Sequence, residues 1–203
     1  MKRLLLLGIM SVLFLTACSK SGEVDAMSRY GNTIDDFEVI NQEDETYTED
    51  DMEGKVWLVD FIFTHCTTVC PPMTNNMVSV VQDLEDDGVE NFGVLSFSVD
   101  PKRDTPEQLQ EYIKAYHVDE LDTEWQFLTG YDYDFIRGFS EKNFKTIVAP
   151  PPEGSDQVTH GTSFYLIDEN GKILKDYSGV DSGDKRFPKE EIVEDVKKLT
   201  KNL

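Results

Sequence analysis

Soft metal ligands are scarce in this chain: its 203 residues include three cysteines and three histidines. With three cysteines, one disulfide at most can close, and any metal site must be assembled from a few identifiable side chains. Basic residues are also few. Nineteen Lys and Arg face forty Asp and Glu, for a formal charge of −21. Such a surface repels nucleic acid and favours cations or basic partners, besides keeping the chain soluble. Long apolar runs are missing too; the stretch Leu4–Leu15 is too short to cross a bilayer comfortably. There is no internal repeat and no second linker. The expectation is one domain, 33–203, long enough to bury a sizeable core.

The N-terminus reads as a processing signal. Lys2 and Arg3 precede the apolar stretch, and Leu15-Thr16-Ala17-Cys18 follows it, leading into Ser19-Lys20-Ser21-Gly22. This resembles the signal peptide and lipobox of a bacterial lipoprotein. The resemblance implies that residues 1–17 are removed and that Cys18 is lipidated. Two acyl chains on Cys18 would hold the protein at the extracytoplasmic face of the cell membrane. Loss of Lys2 and Arg3 moves the charge from −21 to −23. Residues 18–32 are small and polar and read as a tether. Two cysteines then remain, in a compartment where disulfides persist.

The rest alternates strand and helix signals. A short strand or hairpin is expected from Phe37 through the acidic stretch Glu43–Glu53. Val56–Phe63 and Phe92–Val99 are continuous β-prone runs, as in strands buried on both faces. Met73, Met77, Val80, Val81 and Leu84 have helical spacing. Thr105-Pro106-Glu107-Gln108 reads as a capping box opening a second helix, with Leu109, Tyr112, Ile113 and Tyr116 on its apolar face. A short strand at Trp125–Leu128 and a helix at Asp132–Asn143 follow. Beyond the breaker Pro150-Pro151-Pro152, Asn170-Gly171 marks a hairpin between Ser163–Ile167 and Ile173–Tyr177. Lys189–Leu203 closes the chain as a helix. The order predicts an α/β fold, a central mixed sheet flanked by helices.

Within this frame Phe63-Thr64-His65-Cys66-Thr67-Thr68-Val69-Cys70-Pro71-Pro72 stands out. Both cysteines lie where a buried strand hands over to a helix, whose free N–H groups favour thiolate. Pro71 disfavours helical dihedrals at Cys70, so a loop leading into the helix is expected there. Three uses compete. A purely structural bridge would close only a short loop and stabilise little. A thiol–disulfide switch suits the layout. A metal site would need further ligands; two thiolates select copper(I) or zinc, and an added imidazole admits copper(II). Of the histidines, His65 reads as a solvated loop residue and His117 as a residue at a helix C-terminus. His160, between the proline-rich loop and a strand, is placed to face the cysteine loop.

Taken together, Cys66-x-x-x-Cys70-Pro71, Asp100-Pro101-Lys102-Arg103-Asp104-Thr105-Pro106, and His160 shortly before Phe164–Lys172 resemble the Sco (SenC) family, over about residues 33–200. The lipobox makes it similar to a Bacillus-like member. The resemblance implies a thioredoxin-like fold, copper bound by Cys66, Cys70 and His160, and a part in assembling the copper A centre of cytochrome c oxidase, on its subunit II. It implies a monomer acting mainly as a metallochaperone, with Cys66 and Cys70 also able to catalyse thiol–disulfide exchange. Asp100, in the family's acidic motif, would tune the site or a partner contact. Thr67-Thr68 stands where many members have Pro-Asp, and Thr159 where many have Asp; neither change removes a ligand. A thiol–disulfide oxidoreductase that keeps the oxidase copper-site cysteines reduced, or a copper or redox sensor, are the alternatives.

Overall fold

A computed structural model of the chain describes residues 24, 26, 27, 29–201 and 203. The expected signal segment 1–17 and Cys18 lie outside the described residues, as does much of the 18–32 tether. The elements run β1 (Glu38–Ile40), β2 (Thr46–Thr48), β3 (Val56–Ile62), α1 (Cys70–Asp86), β4 (Phe92–Ser98), α2 (Pro106–Ala115), β5 (Glu124–Leu128), α3 (Tyr133–Phe144), β6 (Ser163–Ile167), β7 (Ile173–Ser178) and α4 (Lys189–Thr200). Short 3-10 turns at Glu49–Met52 and Val118–Glu120 fill two connections. The protein is α/β, as its element order predicts.

Five strands form one sheet in the order β5-β4-β3-β6-β7. β3, β4 and β5 are parallel, while β6 and β7 are antiparallel additions. β3 is therefore central, and every residue of β3 and of β4 is buried. That explains why both read as nearly continuous apolar runs rather than alternating ones. The pairing Trp57↔Gly93 shows a further constraint. A Cβ at Gly93 would fall 2.4 Å from the Trp57 ring, so the indole lies over a strand position that only glycine can fill.

The two faces of the sheet have different characters. One is aromatic: Phe61 and Phe97 stack, and Phe37, Phe139, Phe144 and Tyr165 pack edge-on or tilted around them. The alternation of the strands sends Asp60 and Ser96 to the opposite face. There Tyr112 of α2 meets both Phe127 of β5 and Thr74 of α1.

Part of the expected tether is paired with the sheet. Met27 N–H donates to Leu174 O, Gly31 N–H to Ile173 O, and Ile173 N–H to Asn32 O. The free edge of β7 offers a ladder that these polar backbone groups satisfy, so Met27, Gly31 and Asn32 lie along the sheet edge. At α2, Thr105 is the N-cap as expected, accepting from Gln108 N–H. The reciprocal half of the capping box does not form: Thr105 N–H donates to Arg103 O, which leaves the Gln108 amide free to reach Glu111. At α1, Cys70 is the first helical residue and not a loop residue. Pro71 and Pro72 sit in the first turn, where their missing N–H groups cost no intrahelical bond.

Candidate metal centre

β3 delivers the chain to the site at its C-terminal end. Phe63 is buried, and Cys66 N–H turns back onto Phe63 O at 3.2 Å. Thr64 is pinned by a buried carboxylate. Asp104 accepts from Thr64 N–H and, at 2.7 Å, from Thr64 Oγ1, and its other oxygen accepts from Ser98 Oγ at 2.6 Å. The cysteine loop is thus fixed to the end of β4 before α1 begins.

The two thiols are inequivalent. Cys70 N–H, free because it opens α1, donates to Cys66 Sγ at 3.3 Å. The Cys66 thiol is held well below its ordinary range, first by the Cys70 side chain, then by His160 and the backbone N–H groups, against the cost of burial. The Cys70 thiol is pushed up, first by sharing its proton with Cys66 and then by burial. Within the pair, negative charge is therefore favoured on Cys66 and the proton on Cys70. Both sulfurs are free, with no disulfide between them.

His160 enters from the other side. Ala149 and Thr159 exchange backbone hydrogen bonds at 2.9 and 3.1 Å, closing the proline-rich loop and presenting His160 just beyond it. Gly161 lets the chain pass Thr146, whose hydroxyl would lie 2.3 Å from an added Cβ. His160 Nδ1 donates to Gly161 O at 2.8 Å; a carbonyl can only accept, so the proton is on Nδ1 and the Nε2 lone pair is free. Nε2 lies 3.5 Å from Cys70 Sγ, and the Phe63 ring meets the imidazole edge-on. The donor atoms of Cys66, Cys70 and His160 all lie within 4.8 Å of one another.

Other sequence candidates fall outside this group. His65 is exposed, its Nδ1 paired with Thr64 Oγ1. His117 is exposed in a left-handed turn after α2, beside Glu120. Asp100 is buried, accepting from Tyr133 Oη and paired with Arg103 Nε, and is not one of the converging donors. Asp104 escaped sequence reasoning although it lies in the quoted acidic motif; no periodicity distinguishes it from Asp100. Asp60 escaped as well, yet its signal was plain: one carboxylate inside Val56–Phe63, a run with no other charge.

A family model described as SCO1/SenC matches residues 25–201. The chain belongs to the SCO1/SenC family. It is 41% identical over 185 residues to the SCO1 protein homolog of Bacillus subtilis, spanning 91% of this chain and 90% of that protein. It resembles the structure of a SCO1/SenC family lipoprotein from Bacillus anthracis, with TM-score 0.76, 40% identity, and coverage of 86% and 99%. The structure reporting a disulfide switch in BsSco, a member of the Sco family of cytochrome c oxidase assembly proteins, matches with TM-score 0.73, 40% identity, and coverage of 87% and 98%. Bradyrhizobium japonicum ScoI with copper bound shares the fold at 24% identity, TM-score 0.65, and coverage of 83% and 99%. The thioredoxin-like fold expected from the motifs is therefore the fold of this chain. Among the described residues, no helix is long and apolar enough to cross a membrane.

Asp60 sits in this Sco framework as a buried carboxyl in the central strand. Ser96 Oγ, opposite it on β4, donates to Oδ1 at 2.6 Å and accepts from Trp125 Nε1 at 2.9 Å. Oδ2 has no partner. Burial pushes the Asp60 carboxyl up to about 6, with the Ser96 hydroxyl and a protonated His160 acting the other way. A folded-state value above the unfolded one means that the native protein holds this proton more tightly. Stability from this group is then full below about pH 4, the unfolded value, and is lost as pH rises through about 6. Over that window wild type should lose about 3 kcal/mol relative to Asp60→Asn, which has no carboxyl to ionise. Urea unfolding of both proteins at pH 4, 5, 6 and 7 measures this, and parallel stability curves would contradict it.

Proposed function

We propose that this protein is a copper metallochaperone of the extracytoplasmic membrane face, acting in assembly of the copper A centre of cytochrome c oxidase. The observation that carries the proposal is the convergence of Cys66, Cys70 and the free Nε2 of His160 at one point. Two thiolates with one imidazole suit copper in either common oxidation state and exclude hard, oxygen-seeking cations. The set fits a cargo ion. Three protein donors are too few to enclose it, so ligands of a receiving protein can approach from the open side. The cysteine and histidine ligands of the copper A domain on oxidase subunit II are the receivers this reading expects. Holding the ion requires both sulfurs as thiolates, so loading displaces the proton that Cys70 keeps and is blocked when the sulfurs are joined.

A second reading has its own support in the inequivalence of the thiols. A Cys66 thiolate beside a Cys70 thiol is arranged for exchange. Cys66 would attack a partner disulfide, forming a mixed disulfide and releasing one partner thiolate, which takes up a proton. Cys70 would then give up its proton and attack Cys66 Sγ, closing the Cys66–Cys70 bond and releasing the second partner thiol. Two electrons pass to the partner. That reaction needs both sulfurs and no imidazole.

His160→Ala separates the two. Under the metallochaperone reading, it weakens copper(II) binding by about tenfold or more, spares copper(I) held by the thiolates, and lowers oxidase activity in cells, a defect eased by added copper. Oxidase activity equal to wild type, with dithiol oxidation intact, would support the reductase instead.

We also place residues 1–17 as a cleaved lipoprotein signal, Cys18 as the lipidated residue, and 18–32 as the link to a monomeric domain 33–203. The lipobox supports this. Cys18→Ala should move the protein out of the membrane fraction while reduced protein keeps its copper binding. Retention of the variant as an integral membrane protein would overturn the anchor.

A further inference from the structure

The loop that carries His160 is poorly tethered by its own backbone. Between the bridge partners Ala149 and Thr159 run three consecutive prolines, which have no N–H to donate. Among the described residues, two hydrogen bonds join Pro150–Val158 to the rest of the chain. Gln157 Nε2 donates to His65 O at 3.4 Å, a long contact from an exposed side chain. The other comes from Arg103, whose Nη2 donates to Asp156 O at 2.5 Å. Asp156 Oδ2 lies 4.0 Å from Nη1, at the outer limit of an ion pair.

Arg103 is itself held firmly. Its Nε is paired with Asp100, which is 2% exposed and also accepts from Tyr133 Oη at 2.6 Å. Asp100 O accepts from the N–H groups of both Arg103 and Asp104 at 3.0 Å. The short loop Asp100–Asp104 therefore reaches in two directions. Asp104 grips Thr64 and with it the cysteine loop, while Arg103 grips Asp156 and with it the histidine loop.

We infer that Arg103 is a positioning residue for the metal centre, a two-sided latch that sets the approach of His160 to the cysteine pair. This rests on the copper reading above. The planar guanidinium suits the role because it donates from separate nitrogens to the Asp100 carboxylate and the Asp156 carbonyl at once. A lysine ammonium can satisfy Asp100 but lacks the fork to span both. Because the loop-side contact is to a main-chain oxygen, the Asp156 side chain is dispensable for the latch.

Arg103→Ala would leave the Asp100 carboxylate buried without its charge partner and could unfold the region. Arg103→Lys keeps that partner and is the informative variant, with Asp156→Asn as control. Two readouts are taken on the full chain in detergent: backbone amide exchange of the metal-free reduced protein, and copper(II) and copper(I) titrations followed by optical and EPR spectra. In Arg103→Lys the Ala149 and Thr159 amides should exchange about tenfold faster while β3 and α1 amides do not change. Copper(II) should bind about tenfold more weakly with an altered spectrum, and copper(I) should bind as in wild type; a tenfold change is one charge-assisted contact's worth. Asp156→Asn should behave as wild type. The inference is overturned if Ala149 and Thr159 exchange is unchanged in Arg103→Lys, or if copper(II) spectra match in a wild type that binds copper(II). A wild type that takes up no copper overturns the copper reading instead, and the exchange measurement still decides whether Arg103 holds the loop.

Discussion

The site depends on one buried carboxylate, Asp104, which ties the ends of the two central strands together. It is fully buried, and its oxygens accept from Thr64 N–H, Thr64 Oγ1 and Ser98 Oγ. Burial raises its carboxyl above the ordinary range, and the Ser98 and Thr64 hydrogen bonds offset part of that cost. Without such a tie, the chain leaving β3 would have no fixed direction between Phe63 and the first turn of α1. With it, Cys66 is set against the N-terminus of α1, where the free Cys70 N–H reaches its sulfur. Parallel strands make this possible, because β3 and β4 end on the same side of the sheet and their connecting loops gather there.

The chemistry follows from small inequalities in that placement. The Cys70 side chain and the backbone N–H groups favour negative charge on Cys66 despite burial. Cys70 is fully buried next to that charge and keeps its proton. The Gly161 carbonyl claims the Nδ1 proton of His160, which directs the Nε2 lone pair at the sulfurs. A ligand whose tautomer is fixed by its other nitrogen is ready to bind without rearrangement. Under the proposed function, the same three side chains would provide an ion-binding set when the sulfurs are reduced and an exchange-competent dithiol when a partner disulfide arrives. The conserved physical requirement in both is the closeness of the two sulfurs.

Much of this was legible in the sequence, and the legible parts share a cause. β3 and β4 were clear because strands buried on both faces are mostly apolar, and α1 because its buried residues recur on one side. The β6–β7 hairpin was clear because Asn170-Gly171 suits a tight turn, and Gly171 does have positive φ. Cys66, Cys70 and His160 stood out by residue type and by the strand ends they occupy. What sequence could not supply were contacts made across the chain. Arg103 to Asp156 and Asp104 to Thr64 join segments 53 and 40 residues apart, and no local pattern encodes them. The placement of Cys70 inside α1 was missed because the restriction imposed by Pro71 is a preference that a helix N-terminus can override. The pairing of Met27, Gly31 and Asn32 with the β7 edge uses backbone groups, which leave no trace in side-chain composition.

On the proposed function, two sulfurs and one imidazole of this chain hold a single copper ion together. X-ray absorption at the copper edge, on reduced protein loaded with one equivalent of copper(II), tests it most directly. The expected result is a coordination shell of two sulfur donors and one imidazole nitrogen, lost when Cys66 and Cys70 are oxidised to a disulfide before loading. A shell of nitrogen and oxygen donors alone, or the same shell in the oxidised protein, would contradict it.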